Sequence, residues 1–447
     1  MQGALLELIR FGYGPLGGPI GGPPAPPVAP GGLDPDRLLA SLDAPDPVTR
    51  PGTAARLALL ADQRRARDVA KAGGPKDDSA VKALRQLQRE DAAHWVTGAA
   101  TAASGFRERL VNFWANRLTV APTRGEGVHF VQPYRDEVVR PHVAGRFATM
   151  LAAAAWHPAM LLYLDQARSV GPNSAYGLRR RAGLNENFAR EFLELHSMGA
   201  GYTQADVTEL ARLLAGLNYA PEGAVFDAER AEPGPKTVLG AEYGTGPAEI
   251  ARFIEALALR PETAGSVALA LARHFLADDP PADLVARMAQ TYLDAGSALP
   301  PVYRVLLEHP AAADPVLQKL RSPHEYLVAS LRAFGLTGEE GPDQGGPKGG
   351  LKTGPALQAM GQPVFRPQGP DGWPDRAGDW ITPPFLTARL DWAEKLARLY
   401  AERAEPAALA RHLLGDAATD TIRAVGQAEQ RWEGVAVLLA SPAFMRR

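Results

Sequence analysis

The sequence predicts an all-α protein, a multi-helix globular array whose helices are joined by long loops rich in Gly and Pro. Apolar residues recur at three- and four-residue steps through most of the chain, as they do along one face of a helix. Alternating runs typical of strands, followed by hairpin turns, are nearly absent. The 45 glycines and 40 prolines are 85 of the 447 residues, well above the usual share of about 12%, which indicates long irregular connections.

Two Gly- and Pro-rich stretches divide the chain. Residues 13–33 and 335–355 contain too much Gly and Pro to sustain a helix or a central strand, which predicts loops or linkers. We expect one unit over 1–447 with four parts: an N-terminal segment with its linker over 1–33, a main helical region over 34–334, the linker 335–355, and a C-terminal loop with helices over 356–447.

Periodicity predicts the first helices of the main region. Phe, Leu and Trp recur on one face of 106–118, and the same spacing predicts a helix over 141–156. Pro158 suits the first turn of the next helix, over 158–166, because its missing N–H costs nothing there. His157 is expected to cap the corner between the two.

Two further helices meet at a glycine turn. The first is predicted over 185–198 and ends at Gly199. The second is predicted over 204–217, with Thr203 and Asp206 forming a capping box. The remaining predicted helices span 248–259, 263–276, 281–294, 299–308, 383–402, 406–414 and 417–440.

Composition excludes several classes of function. A net charge of −2 gives no field that would recruit nucleic acid, and the absence of Cys removes disulfides, thiolate metal sites and Cys nucleophiles. No run reaches the 18 to 20 apolar residues needed to span a bilayer. Residues 1–15 lack the basic and small-residue features of a signal peptide, so we expect the cytoplasm, with the periplasm as the alternative.

Charged residues crowd the helix predicted over 185–198. Glu191 and Glu194 lie three residues apart and share a face, where paired carboxylates can bind a hard cation or share a proton. His196 lies about 200° around the helix from Glu194, so those two cannot meet at one metal, and no metal site is predicted. The candidate catalytic residues are Arg190, Glu191, Glu194 and His196, and the candidate binding residues on the next helix are Asp206 and Arg212.

The alternative for these charges is a buried ion-pair network that serves only the fold. Because the turn between the two helices is short, we expect Arg190, Glu191 and Glu194 to be substantially buried and paired with Arg212 or Asp206.

A second candidate site is the loop over 361–380. Arg366, Trp373 and Trp380 lie in it, and Trp with Arg would suit a sugar or an anionic polymer. The alternative is that Trp373 and Trp380 pack the loop against the helical core.

The other motifs favour structural roles. Asp91 and His94 have ligand-compatible spacing, but nothing nearby completes a metal set. His274 and His324 are interpreted as packed or capping residues. The sequence has no G-x-S-x-G elbow and no phosphate-binding glycine motif, and it identifies no cofactor.

Several segments together resemble one bacterial family, the domain of unknown function 1800 (DUF1800) family. The strongest are NENFAREFLELHSMG over 185–199 and GYTQADVTELARLLAGL over 201–217. The others are ERLVNFWANRLTV (108–120), HPAMLLYLD (157–165), KTVLG (236–240), LRSPHEYLVASLRAFG (320–335), MGQPVFRPQGPDGW (360–373) and LLASPAFMRR (438–447). The resemblance covers nearly the whole chain and implies a largely helical fold.

The resemblance also implies a partner. Many members are exported, and their genes often lie beside genes of a family that looks like the alkaline phosphatase and sulfatase group. A protein of that group is therefore the expected partner.

Two positions depart from the family pattern. Arg117 and Ala231 stand where the family usually has His. If either histidine carries chemistry in the family, this chain has lost it.

The sequence therefore favours a non-catalytic protein that binds a partner, or a degenerate member of its family. The alternative is an enzyme, with metal-assisted hydrolysis as one reaction class, whose carboxylate–Arg pocket lies on helix 185–198.

Overall fold

The computed structural model describes residues 3–17, 31–43, 50–122, 125–221, 223–340, 348 and 350–447. Over these residues the fold is mostly α, as predicted, with 22 α-helices, short 3₁₀ and π segments, and four short strands. Parts of the two predicted linkers, residues 18–30 and 341–347, lie outside the described residues.

The N-terminal part of the fold consists of six helices and a short π-helix. Ser104 begins α5, because its side-chain oxygen accepts a hydrogen bond from the Arg107 N–H at 3.1 Å. The face predicted from the Phe, Leu and Trp spacing is buried. The elements are α1 (Gly3–Arg10), α2 (Pro35–Ala40), α3 (Thr53–Lys71), α4 (Ser79–Thr101), α5 (Gly105–Arg117) and α6 (Val131–Tyr134), followed directly by a π-helix (Arg135–Val139).

The next helices surround the predicted corner. His157 caps it as predicted, its Nδ1 accepting from the Ala159 N–H at 3.1 Å. The helix predicted from 141 begins only at Phe147, because Pro141 lies in a 3₁₀ turn. The elements are α7 (Phe147–Trp156), α8 (Pro158–Tyr163), α9 (Ala175–Arg180), α10 (Asn187–Glu191), a π-helix (Phe192–Met198) and α11 (Gln204–Leu214).

Two hairpins follow α11, and the sequence did not reveal them. The helix predicted to 217 ends at Leu214, because Gly216 turns the chain with φ +101°. Each hairpin is an antiparallel two-stranded sheet, and the described part of the chain contains no larger sheet. The strands are β1 (Leu217–Ala220) paired with β2 (Gly223–Phe226), and β3 (Lys236–Val238) paired with β4 (Ala241–Tyr243).

The four helices predicted between 248 and 308 are all present, with ends within about two residues of those predicted. They are α12 (Pro247–Ala258), α13 (Pro261–Phe275), α14 (Ala282–Asp294) and α15 (Leu299–Glu308). In α12, α13 and α15 a proline occupies the first turn, where it removes no helical hydrogen bond.

The C-terminal helices pack around α18 and α21. The single helix predicted over 417–440 is divided, because the chain leaves the helix after Gly426 and Gln430 then begins a new one with a capping box to Glu433. The elements are α16 (Pro323–Arg332), α17 (Thr353–Ala359), α18 (Pro383–Tyr400), α19 (Pro406–Leu414), α20 (Thr419–Gly426), α21 (Arg431–Ala440) and α22 (Pro442–Met445).

The buried apolar side chains form two clusters. The first core is built mainly by α5 to α15 and includes Leu110 and Phe253, whereas the second is built mainly by α16 to α22 and includes Trp392. Helix α4 contributes to both, with Leu84 in the first core and Trp95 in the second. The two cores therefore meet beside α4 and α5.

No helix in the described ranges combines the length and apolarity required to cross a bilayer.

Candidate functional site

A cavity of about 90 Å³ lies between the two cores. A single water needs roughly 10–15 Å³ on this scale, so the space holds several water-sized groups. Its walls come from α5, the segment that starts with α6, α16 and the loop over 361–380. Among its polar lining residues are Asn112, Asn116, Arg135, His274, Ser322, Glu325, Gln362, Asp375 and Arg447.

Arg135 is a cation of this cavity that has no carboxylate partner among the described residues. It is the first residue of the π-helix and is only 8% exposed. Its Nη2 donates to Asn112 Oδ1, and its guanidinium carbon lies 5.9 Å from the centre of the Phe365 ring. No carboxylate of the described residues forms an ion pair with it. Burial lowers the pKa of Arg135 to about 10, which leaves the side chain charged at neutral pH.

The carboxylates that favour this charge are already engaged elsewhere. Glu108 pairs with Arg140 at 2.7 Å, and Asp136 pairs with Arg50 at 2.9 Å. A buried cation without an ion pair costs several kcal/mol, and Arg135 has only the neutral Asn112 oxygen and the Phe365 ring to offset this cost among the described residues.

Asn112 fixes the position of Arg135. Its Oδ1 also accepts from Trp95 Nε1 at 3.0 Å, and its Nδ2 donates to the Tyr13 hydroxyl at 2.6 Å. With donors on one side and an acceptor on the other, the amide has a single favourable orientation. Its oxygen therefore faces the guanidinium.

His274 and Asp375 form a pair on another wall. His274 Nδ1 lies 3.2 Å from Asp375 Oδ1, and its Nε2 lies 3.1 Å from Arg109 Nη2. Because Arg can only donate, Nε2 must be the acceptor and the proton is on Nδ1. Burial lowers the pKa of His274 to about 4, which keeps the ring neutral. With its lone pair occupied, His274 is poorly placed to act as a general base.

Glu325 lies behind this pair. It is 3.0 Å from Arg109 Nη2 and 2.8 Å from Arg447 Nε. Burial alone would raise the pKa of Glu325, but Arg447 and Arg109 outweigh burial and hold that pKa well below its usual value. The carboxylate therefore stays ionised and is neutralised by its own partners.

Asn116 attaches the loop over 361–380 to α5. Its Nδ2 donates to the Trp373 carbonyl at 2.9 Å, and its Oδ1 accepts from the Trp373 N–H at 2.7 Å. Gly372 has φ +78°, and a Cβ there would lie 2.6 Å from the Asn116 carbonyl oxygen. Only glycine fits this close approach.

The two tryptophans of this loop pack against the helical core, as one of the two interpretations predicts, and their role in binding stays a prediction. Trp380 is buried in the second core, and Trp373 is half-buried against it, with their rings 6.3 Å apart. Both also line the cavity. Arg366 is exposed and does not line the cavity.

The charged residues on 185–198 form a separate surface group. Arg190 lies 3.6 Å from Glu186 and donates to Gln204 Oε1 at 2.9 Å, and Glu194 accepts from the Tyr202 hydroxyl at 2.6 Å. Their predicted burial is only partial, since Arg190, Glu191 and Glu194 are all half-buried.

The predicted pairing of this group with Arg212 or Asp206 is wrong. Arg212 pairs instead with Glu209 at 2.7 Å. The Asp206 carboxylate accepts hydrogen bonds from the Thr203 N–H, within the capping box, and from the Leu239 N–H at 2.7 Å. The physical reason is that two uncharged side chains take these positions: Tyr202 in the turn hydrogen-bonds to Glu194, and Gln204 at the start of α11 hydrogen-bonds to Arg190.

Glu191 has no hydrogen-bond partner in the described part of the chain. Burial, together with the nearby carboxylate of Glu194, raises the pKa of Glu191. Groups of three or more His, Asp or Glu able to hold a metal ion do not occur among the described residues.

His196 and Arg117 meet under this surface. His196 is fully buried in the π-helix, neither ring nitrogen has a partner within the described ranges, and burial lowers its pKa to about 3. Arg117 donates to the Ser197 carbonyl at 3.0 Å and to Ser266 Oγ at 2.8 Å. In this chain Arg117 therefore braces the π-helix. Ala231 is buried as an ordinary small core residue.

Asp91 and His324, interpreted from the sequence as structural, both make buried contacts within the fold. Asp91 forms a buried pair with Arg56 at 2.6 Å. His324 stacks on the Trp95 ring at 4.4 Å and lies 2.9 Å from the Trp95 carbonyl.

Sequence reasoning missed Arg135, Asn112 and Gln362. A signal for Arg135 was present, because it occupies the middle position of the apolar stripe formed by Val131 and Val138. A cation on an apolar stripe is uncommon and points to a buried role.

No curated protein and no solved structure shows significant similarity to this chain. A family model matches residues 10–446, which is almost its full length. The chain therefore belongs to the family described as protein of unknown function (DUF1800).

Proposed function

We propose that this protein binds a small anion in the cavity between its two cores, without catalysing a reaction on it. The observation that carries the proposal is the buried guanidinium of Arg135, which lines the cavity and has no carboxylate partner in the described structure. An anion placed there would offset the cost of burying that charge.

The charge balance of the cavity supports an anionic ligand. Glu325 is held by Arg109 and Arg447, and Asp375 lies beside His274 and 3.8 Å from Lys319 Nζ. Each lining carboxylate therefore has cationic or donor partners of its own. The positive charge of Arg135 is left over.

A neutral donor accompanies this charge. Gln362 lines the cavity, and its Oε1 accepts from the His324 N–H at 2.8 Å. That bond directs the amide oxygen away and leaves its NH₂ group without a partner in the described structure. One cation with one neutral donor suits the oxygens of a small anion.

The geometry favours binding over catalysis because the nitrogen of His274 that could accept a proton is occupied by Arg109. The alternative, an enzyme whose site lies on 185–198, has less support, since Glu191 and Glu194 lie outside the cavity lining. Association with a protein of the alkaline phosphatase and sulfatase group remains a prediction from the family resemblance.

The test compares wild-type protein with Arg135→Gln. Acetate, phosphate and sulfate are titrated into each by calorimetry at an ionic strength held constant with sodium HEPES, whose anion is too large for the cavity. We expect at least one of these anions to bind the wild type, and Arg135→Gln to lose about thirtyfold or more in affinity, as for other truncated buried charge contacts. The Tm of the unliganded variant should hold or rise, because an unpaired buried charge has been removed.

Arg366→Gln is the matched control. It makes the same charge change on an exposed side chain of the cavity loop, so anion binding should be unchanged. Equal anion affinity in the wild type and Arg135→Gln would refute the proposal, as would a wild type that binds none of the three.

A further inference from the structure

The cavity offers one unit of unpaired positive charge. Arg135 supplies it, and Gln362 adds an uncharged NH₂ group. A dianion such as sulfate would bring a second charge that no free cation neutralises. The balance therefore fits a monoanion.

The volume of the cavity favours a small ligand. The cavity measures about 90 Å³, against about 30 Å³ for a water molecule in the liquid and about 150 Å³ for a protein cavity that accepts benzene. In proportion to the six non-hydrogen atoms of benzene in about 150 Å³, this space suits a ligand of about four non-hydrogen atoms better than a benzene ring.

The wall beside Arg135 is apolar and strained. Phe365 has φ +57°, a backbone conformation that a bulky side chain rarely adopts. Such strain persists only where the surrounding structure enforces it, and it concentrates at ligand sites. Here it holds the Phe365 ring 5.9 Å from the guanidinium carbon of Arg135 and 5.4 Å from the Trp95 ring.

Phe365 also joins the two cores. It is partly buried against both clusters, so its ring forms part of the cavity wall at their junction. A ligand oxygen turned toward the Phe365 ring would find no hydrogen-bond donor there, whereas a methyl or methylene group would pack favourably against the ring.

We propose that the ligand is a short-chain monocarboxylate, with its carboxylate on Arg135 and its alkyl group against Phe365, an inference that rests on the proposed function. Phe365 is then the residue that limits the length and width of the acid.

The test measures Kd by calorimetry for acetate, propionate, butyrate, benzoate, phosphate and sulfate with the full-length wild type and Phe365→Gly. We expect the wild type to bind propionate about fourfold more tightly than acetate, the effect of one buried methylene. Phosphate, sulfate and benzoate should bind at least about tenfold more weakly than propionate.

Phe365→Gly should bind acetate somewhat more weakly, because the methyl group loses its apolar contact, and should gain benzoate binding, because the hole left by the ring admits a second ring and glycine adopts a positive φ without strain. A cooperative urea unfolding transition like that of the wild type shows that the variant is folded. If it does not fold, Phe365→Leu replaces it and should bind butyrate more tightly than propionate, which the wild type should not.

The outcomes distinguish failure of the proposed function from failure of this inference. Arg135-dependent binding of phosphate or sulfate in preference to acetate would leave the proposed function intact and overturn the carboxylate. Benzoate binding to the wild type as tightly as propionate would overturn the size limit, and a folded Phe365 variant with unchanged selectivity would overturn the role of Phe365. Absence of binding by all six anions would overturn both proposals.

Discussion

Two buried polar side chains in this protein illustrate different outcomes of the same physical cost. Arg135 keeps its charge and faces a cavity, whereas His196 is neutral and its ring is enclosed by the core. Both lie in π-helices, whose wider turns alter the direction in which side chains point. His196 was a candidate from the sequence because it lies in a charged segment. Arg135 was not, because Asp136 and Glu137 directly follow it and the stretch is typical of an exposed charged turn.

Replacing His196 with Leu should stabilise the protein. The imidazole is fully buried, and neither nitrogen has a hydrogen-bond partner in the described structure. Removing two unsatisfied polar atoms should raise the free energy of unfolding at pH 7 by about 1 kcal/mol, measured in urea. His412→Leu, at a half-buried position where Nε2 lies 3.0 Å from the Leu16 carbonyl oxygen, loses this contact and should not stabilise the protein. A clear loss of stability in His196→Leu would contradict this account.

At the scale of elements, local sequence signals located most helices but not their irregular ends. Prolines in the first turn and capping side chains mark α8, α11 and α12 to within a few residues. The π-helix over 192–198 was not predicted, because its apolar spacing is nearly that of an α-helix. The hairpins were missed because their strands are only three or four residues long, too short to show alternation.

The capping box of α11 gives a direct test at this scale. The Thr203 side chain accepts from the Asp206 N–H at 3.2 Å, and Asp206 Oδ2 accepts in return from the Thr203 N–H at 2.9 Å. Thr203→Ala should lower the free energy of unfolding by about 1 kcal/mol in chemical denaturation. Thr387→Ala, on the exposed face of α18, removes a threonine with no capping role and should have almost no effect. Equal effects of the two substitutions would argue against the cap.

At the scale of the whole molecule, the fold class could be predicted and the cavity could not. Helical periodicity is a pattern among neighbouring residues, so the all-α class could be predicted from the sequence. The cavity depends on contacts between distant segments, such as the one between Asn116 and Trp373, which are 257 residues apart. Its loop was identified from aromatic and charged composition, but nothing local indicates that this loop closes against α5 and the segment containing Arg135.

Acid should destabilise the folded protein. Burial lowers the pKa of His274 and His324 to about 4 and that of His196 to about 3, from 6.5. Between pH 6.5 and these values the unfolded chain binds protons that the folded chain does not, so stability falls as pH falls. Each histidine should contribute up to about 1.4 kcal/mol per pH unit within that window. Urea unfolding at pH 7, 6 and 5 measures the slope, and a constant free energy of unfolding would contradict the prediction.

The position of the cavity between two cores has a consequence for turnover of the protein in a cell. A ligand at that junction touches both clusters, so its binding free energy is lost when either one opens. Occupancy would thus make the two halves open together, and a protease that attacks the partly opened chain would encounter the loaded form less often. Supply of the small acid would then set how long each copy of the protein survives.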